Sequence, residues 1–81
     1  MARKVFVEVI AKFDLEGQVT PLSFVWEDGR EFMIERVTDV RRAASLKAGG
    51  QGMRYTCIVM GKQTQLFLEY NNQWFIEGKD A

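Results

Sequence analysis

The chain has 81 residues, 47% of them hydrophobic and 27% charged, with 11 basic and 11 acidic side chains, which is enough for one domain and excludes a disordered chain. Its single cysteine, Cys57, excludes an intrachain disulfide. The lack of any histidine removes the commonest general base at neutral pH, every Ser-His or Cys-His nucleophile and the usual zinc ligand sets.

A domain this small buries a limited share of its surface, so good packing or self-association must supply its stability. The first residues, Met1 to Glu8, begin as a signal peptide does, but Glu8 and Lys12 interrupt the apolar region too early. No apolar run approaches the roughly 20 residues that cross a bilayer, so no membrane partner is expected. A lone cysteine fits a reducing compartment, and the expected location is the cytoplasm.

Val5, Val7, Val9, Ala11 and Phe13 alternate with Phe6, Glu8, Ile10 and Lys12, the period of a strand. Glu16-Gly17-Gln18 signals a turn. Pro21 lacks a backbone donor, so Val19 to Trp26 begins irregularly or at an edge. Leu22, Phe24 and Trp26 then share one face. Asp28-Gly29 predicts a hairpin turn, because glycine tolerates positive φ. Phe32 and Ile34 continue the alternation, and Val37 and Val40 resume it out of phase, which predicts a bulge or sharp bend near Glu35-Arg36.

Arg41 to Gly52 mixes helix formers with glycines. Its apolar face is poor and its length short for a helix, so a loop with at most one helical turn is expected. Tyr55, Cys57 and Val59 form the next strand, Gly61-Lys62 a tight turn, and Leu66, Leu68 and Tyr70 a further strand. Asn71-Asn72 tolerates left-handed φ and closes a turn before Trp74-Phe75-Ile76-Glu77. The sum is a single all-β domain over residues 1–81. It has about six antiparallel strands in meander order, closing as a small SH3-like barrel or a strongly bent sheet.

One face gathers Val5, Val7, Val9, Phe13, Leu22, Phe24, Trp26, Ile34, Cys57, Val59, Leu66, Leu68, Trp74 and Ile76 as the expected core. The other still carries Phe6, Ile10, Val25, Met33, Ile58, Met60, Phe67 and Phe75, although a solvated sheet face should be polar. Either the bent sheet folds over them as a second small core, or they pack on a second copy. The homodimer reading assigns Phe6, Ile10, Met33 and Phe67 to an interface.

Charge is unevenly spread. No acidic residue lies between Val40 and Leu68, where Arg41, Arg42, Lys47, Arg54 and Lys62 give +5, against six cations and 11 acids, or −5, elsewhere. With Ser45 and the nearby glycines, these five cations form a candidate anion or nucleic-acid surface, since backbone N–H groups and cations together receive phosphate. The order of residues matches neither a Walker loop nor a dinucleotide fold. The competing reading is a solvated loop whose cations pair with the acidic remainder. Tyr55, Tyr70, Phe67 and Trp26 are the aromatics that could stack bases, unless they are core.

The carboxylates Glu27, Asp28, Glu31, Glu35 and Asp39 show no spacing that demands catalysis. Cys57 in mid-strand reads as inert packing. No cofactor and no enzymatic activity are expected.

The segments Arg42-Ala43-Ala44-Ser45-Leu46-Lys47-Ala48-Gly49-Gly50-Gln51-Gly52, Arg54-Tyr55-Thr56-Cys57, Leu66-Phe67-Leu68-Glu69 and Trp74-Phe75-Ile76-Glu77 resemble a family of small bacterial proteins of unknown function. The resemblance spans roughly residues 22–77 and implies a compact all-β domain with no established activity. Pro21-Leu22-Ser23-Phe24-Val25-Trp26 followed by Gly29-Arg30-Glu31-Phe32 is similar to short proteins found beside lesion-bypass DNA polymerase genes, which implies a link to nucleic acid.

Overall fold

A computed structural model describes residues 2–44 and 51–79. They form seven antiparallel strands: β1 (Ala2–Phe13), β2 (Val19–Val25), β3 (Glu31–Met33), β4 (Arg36–Ala44), β5 (Gln51–Val59), β6 (Lys62–Glu69) and β7 (Trp74–Lys79). Their order in the sheet is β3-β2-β1-β7-β6-β5-β4. Two meanders, β1-β2-β3 and β4-β5-β6-β7, are therefore joined where β1 pairs with β7. No helix occurs among the described residues, so none there is long and apolar enough to cross a membrane.

The expected bend at Glu35-Arg36 draws the two edges of the sheet together. The Ile34 N–H donates to the Leu22 carbonyl on β2, and the next N–H, of Glu35, donates to the Ile58 carbonyl on β5. Two consecutive residues thus hydrogen-bond to β2 and β5, strands in opposite halves of the sheet, and curl it into a half-barrel. The Glu35 carboxylate then accepts from the Gly61 N–H at 2.7 Å, tying this junction to the β5–β6 turn. The bend splits one long expected strand into β3 and β4, which makes seven strands of the expected six.

The turns follow the sequence closely. Glu27-Asp28-Gly29 closes β2 onto β3 with Gly29 at φ 90°, a three-residue loop that needs a left-handed third residue. The β5–β6 turn is Met60-Gly61, both at positive φ, one residue before the expected Gly61-Lys62. Asn72 takes the left-handed position expected of its pair.

The inner face holds the core. Phe24, Tyr55, Cys57, Val59 and Leu66 are buried there, with Val7, Val9, Trp26, Ile34, Leu68, Trp74 and Ile76 packed against them. Phe13 and Leu22 depart from the expected core and are exposed. The β1–β2 register slips between Ile10 and Ala11, so Ser23 pairs with Ile10 and Pro21 with Ala11. Leu22 is the extra residue of that bulge and is lifted off the inner face. Phe13 ends β1 beyond the core cluster.

The outer face is divided. Phe67 and Phe75 are cross-strand partners on β6 and β7, and their rings stack 4.9 Å apart at 9°. Phe6 meets Phe75 edge-on, and the Lys4 ammonium lies 4.9 Å above the Phe75 ring while binding Glu69. Phe67 and Phe75 are thereby buried, while Phe6, Ile10, Met33 and Met60 of the same expected face stay exposed.

Candidate anion-binding surfaces

The long loop expected over Arg41 to Gly52 is shorter. Arg41 to Ala44 belong to β4 and Gln51 and Gly52 to β5, with register pairs Arg41↔Arg54, Arg42↔Met53, Ala43↔Gly52 and Ala44↔Gln51. A period-two pairing of short polar and small residues needs no apolar face when the neighbouring β6 already anchors β5. Ser45 and Lys47, and the helical turn considered around them, lie outside the described residues.

Gly52 shows why this hairpin carries glycine inside a strand. A Cβ at that position would overlap the backbone carbonyl oxygen of Leu68 on β6. Only glycine permits so close an approach of the two strands.

The four remaining sequence-predicted cations do not converge. Arg41 and Arg54 are direct cross-strand partners on the outer face. Arg42 pairs with Met53 and points the opposite way, since neighbours in a strand alternate faces. Lys62 pairs with Val59 beside the β5–β6 turn. It lies five residues along β5 from Arg54, or roughly 17 Å at about 3.3 Å per residue.

The Arg41–Arg54 pair is chemically unusual. Like charges placed directly opposite in a sheet repel. Arg41 is relieved by Asp39, whose carboxylate lies 2.9 Å from its Nε. Arg54 has no such relief. Its Nε is buried and without a hydrogen-bond partner. Its cross-strand neighbour on the other side is Phe67, and the two diagonal carboxylates are engaged, Asp39 by Arg41 and Glu69 by Lys4 at 3.2 Å. A buried donor left unpaired costs about 1–3 kcal/mol.

At the other end of the barrel is an open cleft of about 340 Å³. It is lined by the apolar side chains of Phe24, Trp26, Phe32, Val59, Met60 and Ile76, and Arg30, Lys62 and Thr64 complete the lining. No carboxylate lines it. Phe24 and Phe32 stack at 5.4 Å, and the Arg30 guanidinium sits 5.4 Å from the Phe32 centroid. Asp28 holds Arg30 in place at 2.7 Å and also accepts the Arg30 backbone N–H, which keeps its carboxyl below the usual range. Glu31 and Glu35, in the adjoining hollow, are engaged by the Ser23 hydroxyl and the Gly61 N–H.

Arg30 lies outside the acid-free stretch and is not among the cations expected from the sequence. The signal was the Arg30-x-Phe32 spacing after a hairpin turn, which puts a cation and a ring on one face of a strand.

Of the four residues assigned to an interface, Phe6, Ile10 and Met33 are 50%, 56% and 65% exposed. Phe67 is only 5% exposed, because it stacks on Phe75, and so it is removed from the candidate surface. Among the candidate stacking aromatics, Tyr55 and Phe67 are buried, Tyr70 is exposed and Trp26 is half-buried in the cleft. Cys57 is fully buried, and burial pushes its thiol up to about 11. It is protonated and shielded at neutral pH, in line with inert packing.

Compared with protein-family models, curated proteins and solved structures, the chain matches none.

Proposed function

We propose that this protein is a non-enzymatic binding module that receives the phosphate backbone of a nucleic acid on its β4–β5 hairpin. One observation carries the reading. Arg54 holds a buried, unpartnered Nε directly across from a second arginine, an arrangement that an anion would relieve. The four cations of the acid-free sequence from Arg41 to Arg54 support it, as does the likeness of the Pro21–Phe32 pattern to proteins found beside lesion-bypass polymerase genes. A free buried thiol fits a reducing compartment such as the cytoplasm.

The test is fluorescence anisotropy of single-stranded DNA and RNA against salt concentration. Binding that weakens with salt, and an Arg54→Met variant that binds several-fold more weakly with a salt slope smaller by about one, support the proposal. No binding to either nucleic acid at low salt ends it.

A second reading, a homodimer, is favoured by the exposed apolar side chains of the outer face. Ile10 and Met33 flank Ser23 across three strands, with Phe6 further along β1. Light scattering on the wild type and on Phe6→Asp and Ile10→Asp tests it. A monomeric wild type rejects the dimer.

A further inference from the structure

We infer that the cleft between the β2–β3 and β5–β6 turns is a base-stacking subsite, with Trp26 and Phe32 as the platform and Arg30 and Lys62 as receivers of the phosphate. In its single-strand form this rests on the proposed nucleic-acid reading. The cleft itself is built from different residues and lies at the other end of the half-barrel.

Three features select the occupant. The lining carries two cations, Lys62 and an Arg30 whose Nε is paired with Asp28, and no carboxylate, a balance that favours an anionic ligand. The lining holds three aromatic rings, Trp26 and the stacked Phe24–Phe32 pair, with the Arg30 guanidinium over Phe32. Bases stack on both aromatic and guanidinium planes. Finally, the cleft is open, with Met60 at its rim 73% exposed. A fatty acyl chain gains from burial on all sides, whereas a base gains from contact with one flat face. The volume, about 340 Å³, is at the lower end of ligand sites and suits one base with its sugar.

Thr64 adds a hydroxyl to the cationic rim, where it can donate to a phosphate or meet a base edge. The shared chemistry is a nucleobase carrying phosphate, and its source is either a free nucleotide or one unit of a strand.

The experiment reads intrinsic tryptophan emission in wild type, Trp26→Phe and Lys62→Gln. It titrates a single-stranded DNA of about ten nucleotides, inside the 4–16-nucleotide range of small β-barrel sites, and in parallel thymidine monophosphate. Anisotropy follows strand binding in all variants and in Arg54→Met. The expected result is quenching by the strand in wild type and none of that quenching in Trp26→Phe, which binds roughly ten-fold more weakly. Lys62→Gln, an exposed substitution that keeps the fold, binds several-fold more weakly with a reduced salt slope.

Strand binding that Arg54→Met weakens, with unchanged emission and unchanged Lys62→Gln affinity, overturns the cleft and leaves the hairpin reading standing. Quenching by the mononucleotide equal to that by the strand, with Arg54→Met indifferent, assigns the cleft to free nucleotides and overturns the hairpin reading. No quenching by either probe overturns the subsite, and no strand binding as well overturns both.

Discussion

The two ends of β5 differ in how they present positive charge. At the β4–β5 end, two arginines face each other, one relieved by Asp39 and the other left with a buried free donor. At the β5–β6 end, Lys62 and Arg30 come from distant parts of the chain and flank an aromatic cleft. The first end is rich in charge along the sequence, yet its cations split between two faces. The second is modest in sequence but gathers charge and flat apolar surface in one place. Charge density along a chain is therefore a poor guide to charge convergence in a sheet, where each step of one residue reverses the face.

The largest expected effect tests the common support of both ends. Phe75 is 1% exposed and touches both Phe67 and Phe6. Phe75→Ala should cost about 3–5 kcal/mol in urea unfolding. A loss below about 1 kcal/mol would show that the outer-face aromatics are not a second core.

Cys57 lies midway between the two ends and gives an alkaline signature. Its thiol is held up to about 11 in the fold against 9.0 for the unperturbed group. The stabilisation from keeping it neutral is complete below pH 9 and is lost as pH rises towards 11, where the unfolded chain alone has released the proton. The shift corresponds to about 3 kcal/mol. Burial raises Tyr55 in the same direction, with Cys57 adding to it. Cys57→Val should flatten the fall between pH 9 and 11, and a slope equal to wild type would refute the assignment.

Two further substitutions address the hairpin end alone. Gly52→Ala should destabilise by about 2 kcal/mol or more, because backbone and not a flexible side chain opposes the new Cβ. It should also weaken any binding through Arg54 while leaving Trp26 emission unchanged. Arg54→Met should do the reverse to stability, raising it by about 1 kcal/mol as the unpaired donor is removed. Lys62→Met at the other end should stay within about 0.5 kcal/mol of wild type. If Arg54→Met were instead destabilising, its guanidinium would have a structural partner and the anion reading would lose its support.

Much of the architecture was legible in the chain. Alternating Val5-Val7-Val9, Tyr55-Cys57-Val59 and Leu66-Leu68 identify strands and their buried face, because the side-chain period of a strand is fixed at two. Asp28-Gly29 and Asn71-Asn72 mark turns, because their backbones need left-handed φ. The division of charge was legible as well. The candidate site was only partly so. Arg41 and Arg54 were identified as cations, but nothing in the spacing said that they face each other across β4 and β5.

What only the tertiary structure decided follows from register and closure. Sequence period says that Leu22 and Phe24 share a face, yet one extra residue opposite Ile10 and Ala11 exposes Leu22 and keeps Phe24 inside. It cannot say that Phe67 meets Phe75 and leaves the surface, since that pairing depends on which strands adjoin. Nor can it bring Arg30 to Lys62. That shared cleft depends on Ile34 and Glu35 bonding to β2 and β5 in opposite halves of the sheet, a long-range closure that local alternation does not encode. The sequence by itself determined the strands, the turns and the sign of the charge in each segment. Closure of the half-barrel determined which of those charges stand together.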